Sequence, residues 1–159
     1  MKKDFKDIIA KLEKENKTIS TMESCTGGGV ANAITNMEGA SEVFKYSAVT
    51  YSNEFKIKQG VSSAIINKYS VYSMETANEM SKNISLNANS NYGIGITGKL
   101  NRVDKNNPYG KDNIVFISIY NKDLDTYYNE IVEATKKTRE NNKQLVIDKI
   151  IDMLENILN

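Results

Sequence analysis

The stretch TMESCTGGGVANAI, residues 21–34, sets a serine, a cysteine and a threonine side by side and then runs into three glycines. Before the glycines, Thr18-Ile19-Ser20-Thr21-Met22 reads as a short β-strand. After them, Val30, Ala31, Ala33 and Ile34 open a helix. A strand that feeds a glycine turn and then a helix begins a βα unit.

Three readings fit this turn. In the plainest, the glycines only permit a sharp strand-to-helix connection with close packing. In the second, the free N–H groups at the helix N-terminus cradle an anion. The stretch is neither a Walker A loop, since no lysine follows at the required place, nor a GxGxxG fingerprint. In the third, Ser24 is a nucleophile beside backbone donors that hold the oxyanion it creates. One such donor is worth roughly 3–4 kcal/mol where it has been measured. A serine needs a base to take its proton, and the chain has no histidine. The bases left are a neutral lysine, a tyrosinate or a carboxylate. Lysine fills this role when burial or a cationic neighbour lowers its pKa. TYSNEFK (50–56) places Tyr51 at the end of a strand and Lys56 in the first turn of the next helix. If the two strands are neighbours, both side chains reach the turn that carries Ser24.

Outward from the turn, Phe5, Ile8, Ile9 and Leu12 fall at helical spacing over residues 4–15, with Asp4 placed to cap. Residues 43–52 make the next strand. Asn53 can cap a short helix that Gly60 closes, and Ser73 can cap a longer one whose inner face includes Ala77, Met80 and Ile84. Two strong strands follow, 92–97 and 113–120, and a weaker one at 126–132. A last helix spans about 139–158. The order α-β-α-β-α-α-β-β-β-α defines a three-layer α/β/α sandwich with a mixed, mostly parallel sheet of about five strands. The last three strands lack intervening helices, which makes that part of the sheet antiparallel.

The 159 residues fit one domain spanning 1–159, with 21 basic and 20 acidic side chains for a net charge of +1. That balance, without a basic tract, gives no reason to expect a nucleic-acid partner. No segment approaches the ~20 apolar residues of a membrane helix, so no membrane role is expected. One cysteine fits a reducing, cytoplasmic setting, and with no histidine a zinc site of the common kind is close to excluded.

Four stretches together resemble the CinA C-terminal domain family, the nicotinamide-nucleotide amidohydrolases: ESCTGG (23–28), TYSNEFKIKQGV (50–61), VYSMETANEMS (71–81) and GIGITG (93–98). They occur in the family's order and spacing, and the resemblance spans nearly the whole chain. It implies an α/β/α sandwich and hydrolysis of the carboxamide of nicotinamide mononucleotide to nicotinate mononucleotide and ammonia, a step of pyridine nucleotide salvage and NAD metabolism. It implies neither metal nor organic cofactor, a small pyridine nucleotide as the partner, the stand-alone form of the domain, and a homo-oligomer, since members often self-associate.

Carried over by position, the resemblance makes Ser24 the nucleophile, Lys56 its base and Tyr51 an orienting or relaying group. Cys25, Thr26, Gly27, Gly28 and Asn53, together with Thr97 and Gly98, would line the substrate site. Arg139 and Lys143, four apart on one helix face, would meet the phosphate; the family often has arginine at the second position. Cys25 is the rival nucleophile, with a small buried side chain as the alternative reading. After Thr97-Gly98 the chain departs from the family's Ile-Ala-Gly-Pro pattern and reads Lys99-Leu100-Asn101-Arg102-Val103-Asp104. Pro108-Tyr109-Gly110 resembles the family's Pro-Val-Gly, with two further residues before the next strand. Two other functions stay open: a non-catalytic nucleotide-binding or regulatory homologue, and an amidohydrolase for a different small amide.

Overall fold

The computed structural model describes residues 3–102, 104–107 and 110–159. Pro108 and Tyr109 of the family-like tripeptide, and Val103, lie outside the described residues. The elements run α1 (Lys6–Lys14), β1 (Ile19–Glu23), α2 (Gly29–Thr35), α3 (Ala40–Val43), β2 (Phe44–Val49), α4 (Asn53–Lys58), α5 (Ser63–Tyr69), α6 (Met74–Ala88), β3 (Tyr92–Gly98), β4 (Ile114–Asn121), β5 (Thr126–Glu133) and α7 (Arg139–Leu158). The short helices α3 and α5 are additions to the order expected from sequence. At 4 and 7 residues, they are too brief to show a helical repeat of apolar residues.

The sheet order is β2-β1-β3-β4-β5. β1 pairs parallel with β2 and β3, while β3–β4 and β4–β5 are antiparallel. Two of the four pairings are therefore parallel, fewer than the mostly parallel sheet expected, because β3, β4 and β5 are joined without crossover helices. The ends of β1, β2, β3 and β5 and the start of β4 consequently share one rim.

The two faces of the sheet are packed differently. Ile94, Ile96, Ile117 and Ile119 point to one side, where they meet the apolar faces of α1, α2 and α7, including Leu12, Val30 and Ile150. Each such side chain, fully buried, contributes about 1.5–3 kcal/mol. On the other side α6 lies very close to β3. A Cβ on Gly95 would stand 2.5 Å from the Ala77 carbonyl oxygen and 2.6 Å from the Ser81 nitrogen. Ser81 Oγ and Ser118 Oγ, 2.8 Å apart, join α6 to β4. Small residues thus let α6 sit close on β3, beside a smaller apolar cluster of Met22, Val61, Ile66, Val71, Met80 and Ile84.

The caps differ in detail from the expected ones. Ser73 caps α6 by accepting from Thr76 N–H, but α4 is capped by Ser52, which accepts from Phe55 N–H at 3.2 Å, one residue before Asn53. Asp4 accepts from Lys6 N–H at 3.0 Å, with Phe5 as the flanking residue of α1. β5 is exposed along its length except at Val132, which explains its weak alternation. Among the described residues no helix is long and apolar enough to cross a membrane.

Candidate active site

Ser24 is the first residue beyond β1, with its N–H bonded to the Ile96 carbonyl of β3 at 3.0 Å. The chain turns there through Gly27 and Gly28, whose φ values of 61° and 94° lie in the left-handed region that favours glycine. The turn is locked from below by Glu23. Its buried carboxylate accepts from Thr26 Oγ1 at 2.6 Å, Val30 N–H at 2.9 Å and Ala31 N–H at 3.0 Å, capping α2 from the preceding strand. Glu23→Ala should cost about 2–3 kcal/mol in urea unfolding by stranding these buried donors, with Glu23→Gln retaining part of it.

The Gly27 and Gly29 amides are engaged by the Ser24 and Thr26 carbonyls. Among the described residues, the Cys25, Thr26 and Gly28 amides donate to no other residue. These are the N–H groups at hand for an oxyanion beside Ser24.

Lys56 enters from α4, and its side chain is only 2% exposed. Nζ lies 3.1 Å from Ser24 Oγ and 2.7 Å from the Thr50 carbonyl oxygen. Burial lowers its pKa from 10.5 to about 8, against smaller opposing pulls from Cys25 and Asp104. In its neutral form one N–H can stay on Thr50 while the lone pair takes the Ser24 hydroxyl proton. Burial thus brings the neutral form within reach just above neutral pH.

Cys25 is buried behind the serine. Desolvation pushes its thiol up to about 12, although Lys56 and Arg139 pull the other way. A thiol in that state is a poor nucleophile near neutrality, which favours the small-buried-residue reading and Ser24.

A cleft of ≈ 630 Å³ opens at Ser24 and Cys25, lined also by Tyr51, Asn53, Tyr72 and Gly98. Arg139, the first residue of α7, also lines it, with Nη2 3.4 Å from the Tyr51 hydroxyl. Tyr51 is 64% exposed, and the structure places its hydroxyl on Arg139, with no hydrogen bond to Ser24 or Lys56 among the described residues. It is a wall and a prop for the arginine.

The other expected residues divide. Thr26 turns its hydroxyl inward to Glu23, and Thr97 donates to the Val71 carbonyl at 2.9 Å, fully buried. Both build the site from behind. Lys143 faces a separate cavity along α2 and α7; a Cβ on Gly27 would stand 3.4 Å from its Nζ, so it covers the back of the turn.

Sequence reasoning missed Glu23, Tyr72, Lys99 and Asp104. Tyr72 donates its hydroxyl to the Asp104 carboxylate. Glu23 and Tyr72 do lie inside the motifs quoted above, but nothing in the spacing says which way they point. Among the described residues no three Cys, Asp or Glu side chains gather as a metal site would require.

An α/β/α sandwich with a buried lysine bonded to a serine at a glycine turn defines a domain with a serine–lysine pair in an open cleft. The chain belongs to the CinA C-terminal domain family, whose model matches residues 2–158. It is 48% identical over 97 residues, 60% of this chain, to a competence-damage inducible protein of Clostridium beijerinckii, and 47% over 96 residues to one of Clostridium perfringens. The matched stretches cover only 24% and 23% of those proteins. The crystal structure of the competence/damage inducible protein CihA of Agrobacterium tumefaciens superposes with a TM-score of 0.85 at 23% identity, over 96% of this chain and 92% of that one. That likeness speaks for the fold.

Proposed function

We propose that this domain hydrolyses the carboxamide of a pyridine mononucleotide, nicotinamide mononucleotide being the reference substrate. The observation that carries the reading is the 3.1 Å contact between Ser24 Oγ and a lysine nitrogen whose burial favours its neutral form. Ser24 Oγ attacks the carboxamide carbon while Lys56 takes its proton. The oxyanion rests on the Cys25 and Gly28 amides. As the C–N bond breaks, Lys56 returns the proton to the leaving nitrogen, and ammonia departs. Water, deprotonated in turn by Lys56, cleaves the acyl-enzyme ester and releases the carboxylate product. Tyr51 and Tyr72 offer aromatic walls for the pyridine ring, and Arg139 at the rim offers a charge for the phosphate.

The test is ammonia release from nicotinamide mononucleotide by the purified protein, with Ser24→Ala beside it. Release that the substitution removes supports both substrate class and nucleophile. No release from wild-type protein at any pH from 7 to 9.5 would overturn the substrate, and normal turnover by Ser24→Ala would overturn the mechanism.

A further inference from the structure

The segment 99–107 departs most from the family pattern, and it is fastened to the cleft at three places. At its root, Lys99 N–H donates to the Ile114 carbonyl at 3.0 Å and Arg102 N–H to the Asp112 carbonyl at 3.2 Å. The buried Lys99 Nζ also reaches the Asp112 carboxylate at 3.3 Å. Midway, Tyr72, two residues before α6, donates its hydroxyl to Asp104, and Lys99 Nζ lies 4.9 Å from the Tyr72 ring centre. Further on, Asn53 Nδ2 donates to Asn107 Oδ1 at 3.2 Å.

Asp104 is the hub of this strap. Besides Tyr72, its carboxylate accepts from Asn106 N–H at 2.9 Å and Asn107 Nδ2 at 3.4 Å. Three groups of the strap and its anchor thus fix where one negative charge sits, and it lines the same cleft as Ser24.

Resting on the serine–lysine reading above, we infer that Asp104 is a positioning residue for the Ser24–Lys56 pair: Tyr72 holds its carboxylate in the cleft wall, where its negative charge acts on Lys56.

The surroundings of Lys56 single this charge out. The turn after β1 presents Ser24 and Cys25, the end of β2 presents the Thr50 carbonyl, and the strap presents Asp104. On its own helix, Glu54 and Lys58 pair with each other at the surface, 3.1 Å apart. Glu23 and Arg139 act on the Cys25 side of the turn. The Cys25 thiol, held protonated by burial, brings no charge near neutral pH. Asp104 favours the protonated lysine and so opposes the effect of burial. Burial sets the larger part of how alkaline the medium must be before Ser24 is activated, and the charge of Asp104 moves that threshold upward.

The experiment reads that threshold without relying on the substrate. A fluorophosphonate phosphonylates an activated serine: the Ser24 Oγ–P bond forms, P–F breaks, fluoride leaves and the hydroxyl proton passes to Lys56. The rate of labelling of the full chain is followed from pH 6 to 10 for wild type, Ser24→Ala, Asp104→Asn, Asp104→Glu and Tyr72→Phe. Wild type is expected to label with a midpoint near 8. Asp104→Asn, which keeps an acceptor for Tyr72 but no charge, should shift that midpoint down by about 0.5–1 pH unit, an effect of this size following from one charge across a partly hydrated cleft. Asp104→Glu should restore it. Tyr72→Phe should shift it part of the way and speed tryptic cleavage at the exposed Arg102 and Lys105. Labelling of Ser24 with the same midpoint in Asp104→Asn would overturn the role of Asp104 while leaving the serine–lysine pair intact. Failure of wild type to label above the Ser24→Ala background would overturn both.

Discussion

Lys56→Met is expected to abolish the proposed ammonia release and to leave a protein more stable than wild type at pH 7. The loss of turnover is expected to reach ~10³–10⁴-fold or more, because in the proposed reaction one side chain serves as base for Ser24, acid for ammonia and base for water. It should match Ser24→Ala, since two groups acting as a unit do not add. The gain in stability follows from burial. A lysine whose pKa falls from 10.5 in the unfolded chain to about 8 in the folded one costs roughly 3 kcal/mol while it must be charged. Methionine removes that cost but leaves the Thr50 carbonyl without its 2.7 Å partner, so the net gain is about 1–2 kcal/mol. The sign with pH is fixed. The unfolded chain binds the extra proton between about 8 and 10.5, so wild-type stability rises with pH across that window and the advantage of Lys56→Met fades. Thermal unfolding at pH 7 and pH 10, beside ammonia assays, checks both halves. A melting temperature lowered equally at the two pH values would refute the account.

Gly95→Val collapses the fold. The added Cβ would meet the Ala77 carbonyl oxygen at 2.5 Å, the Ser81 nitrogen at 2.6 Å and the Met80 Cβ at 2.8 Å. Two of these are backbone atoms in the middle of a helix, and they cannot swing aside as a flexible side chain would. α6 must lift from β3, opening the Ser81–Ser118 contact and loosening the packing of Met80 and Ile84. Overpacking of a tight core typically costs 1–3 kcal/mol, and displacement of a whole helix should bring this to about 4–5 kcal/mol, comparable to the entire stability of many domains. Urea unfolding of Gly95→Val and Gly95→Ala is the measurement, with the alanine variant also clearly destabilised. A midpoint within experimental error of wild type for the valine variant would mean that α6 does not lie where described.

Much of this architecture is legible from residues 18–34 and 50–60. The periodicity of Ile8, Ile9 and Leu12, the β-branched runs and the glycine turn are enough to put Ser24 at the end of β1 and Lys56 on the helix that follows β2. What escaped the reading is orientation. Whether the hydroxyls of Thr26 and Thr97 point to the cleft or behind it depends on Glu23 and on the Val71 carbonyl, one near in sequence and one 26 residues away. Tyr51 reads from sequence as an orienting or relaying group, and its hydrogen-bond partner, Arg139, lies 88 positions on. The Tyr72–Asp104 bond joins two segments that carry no shared pattern, so spacing alone has nothing to offer there.

The burial of Cys25 has a practical corollary. It is the chain's only thiol, it adjoins Ser24, and it is buried within the glycine turn. Its reaction with a coloured disulfide therefore runs as a clock for local opening of that turn, readable on native protein without any label being introduced.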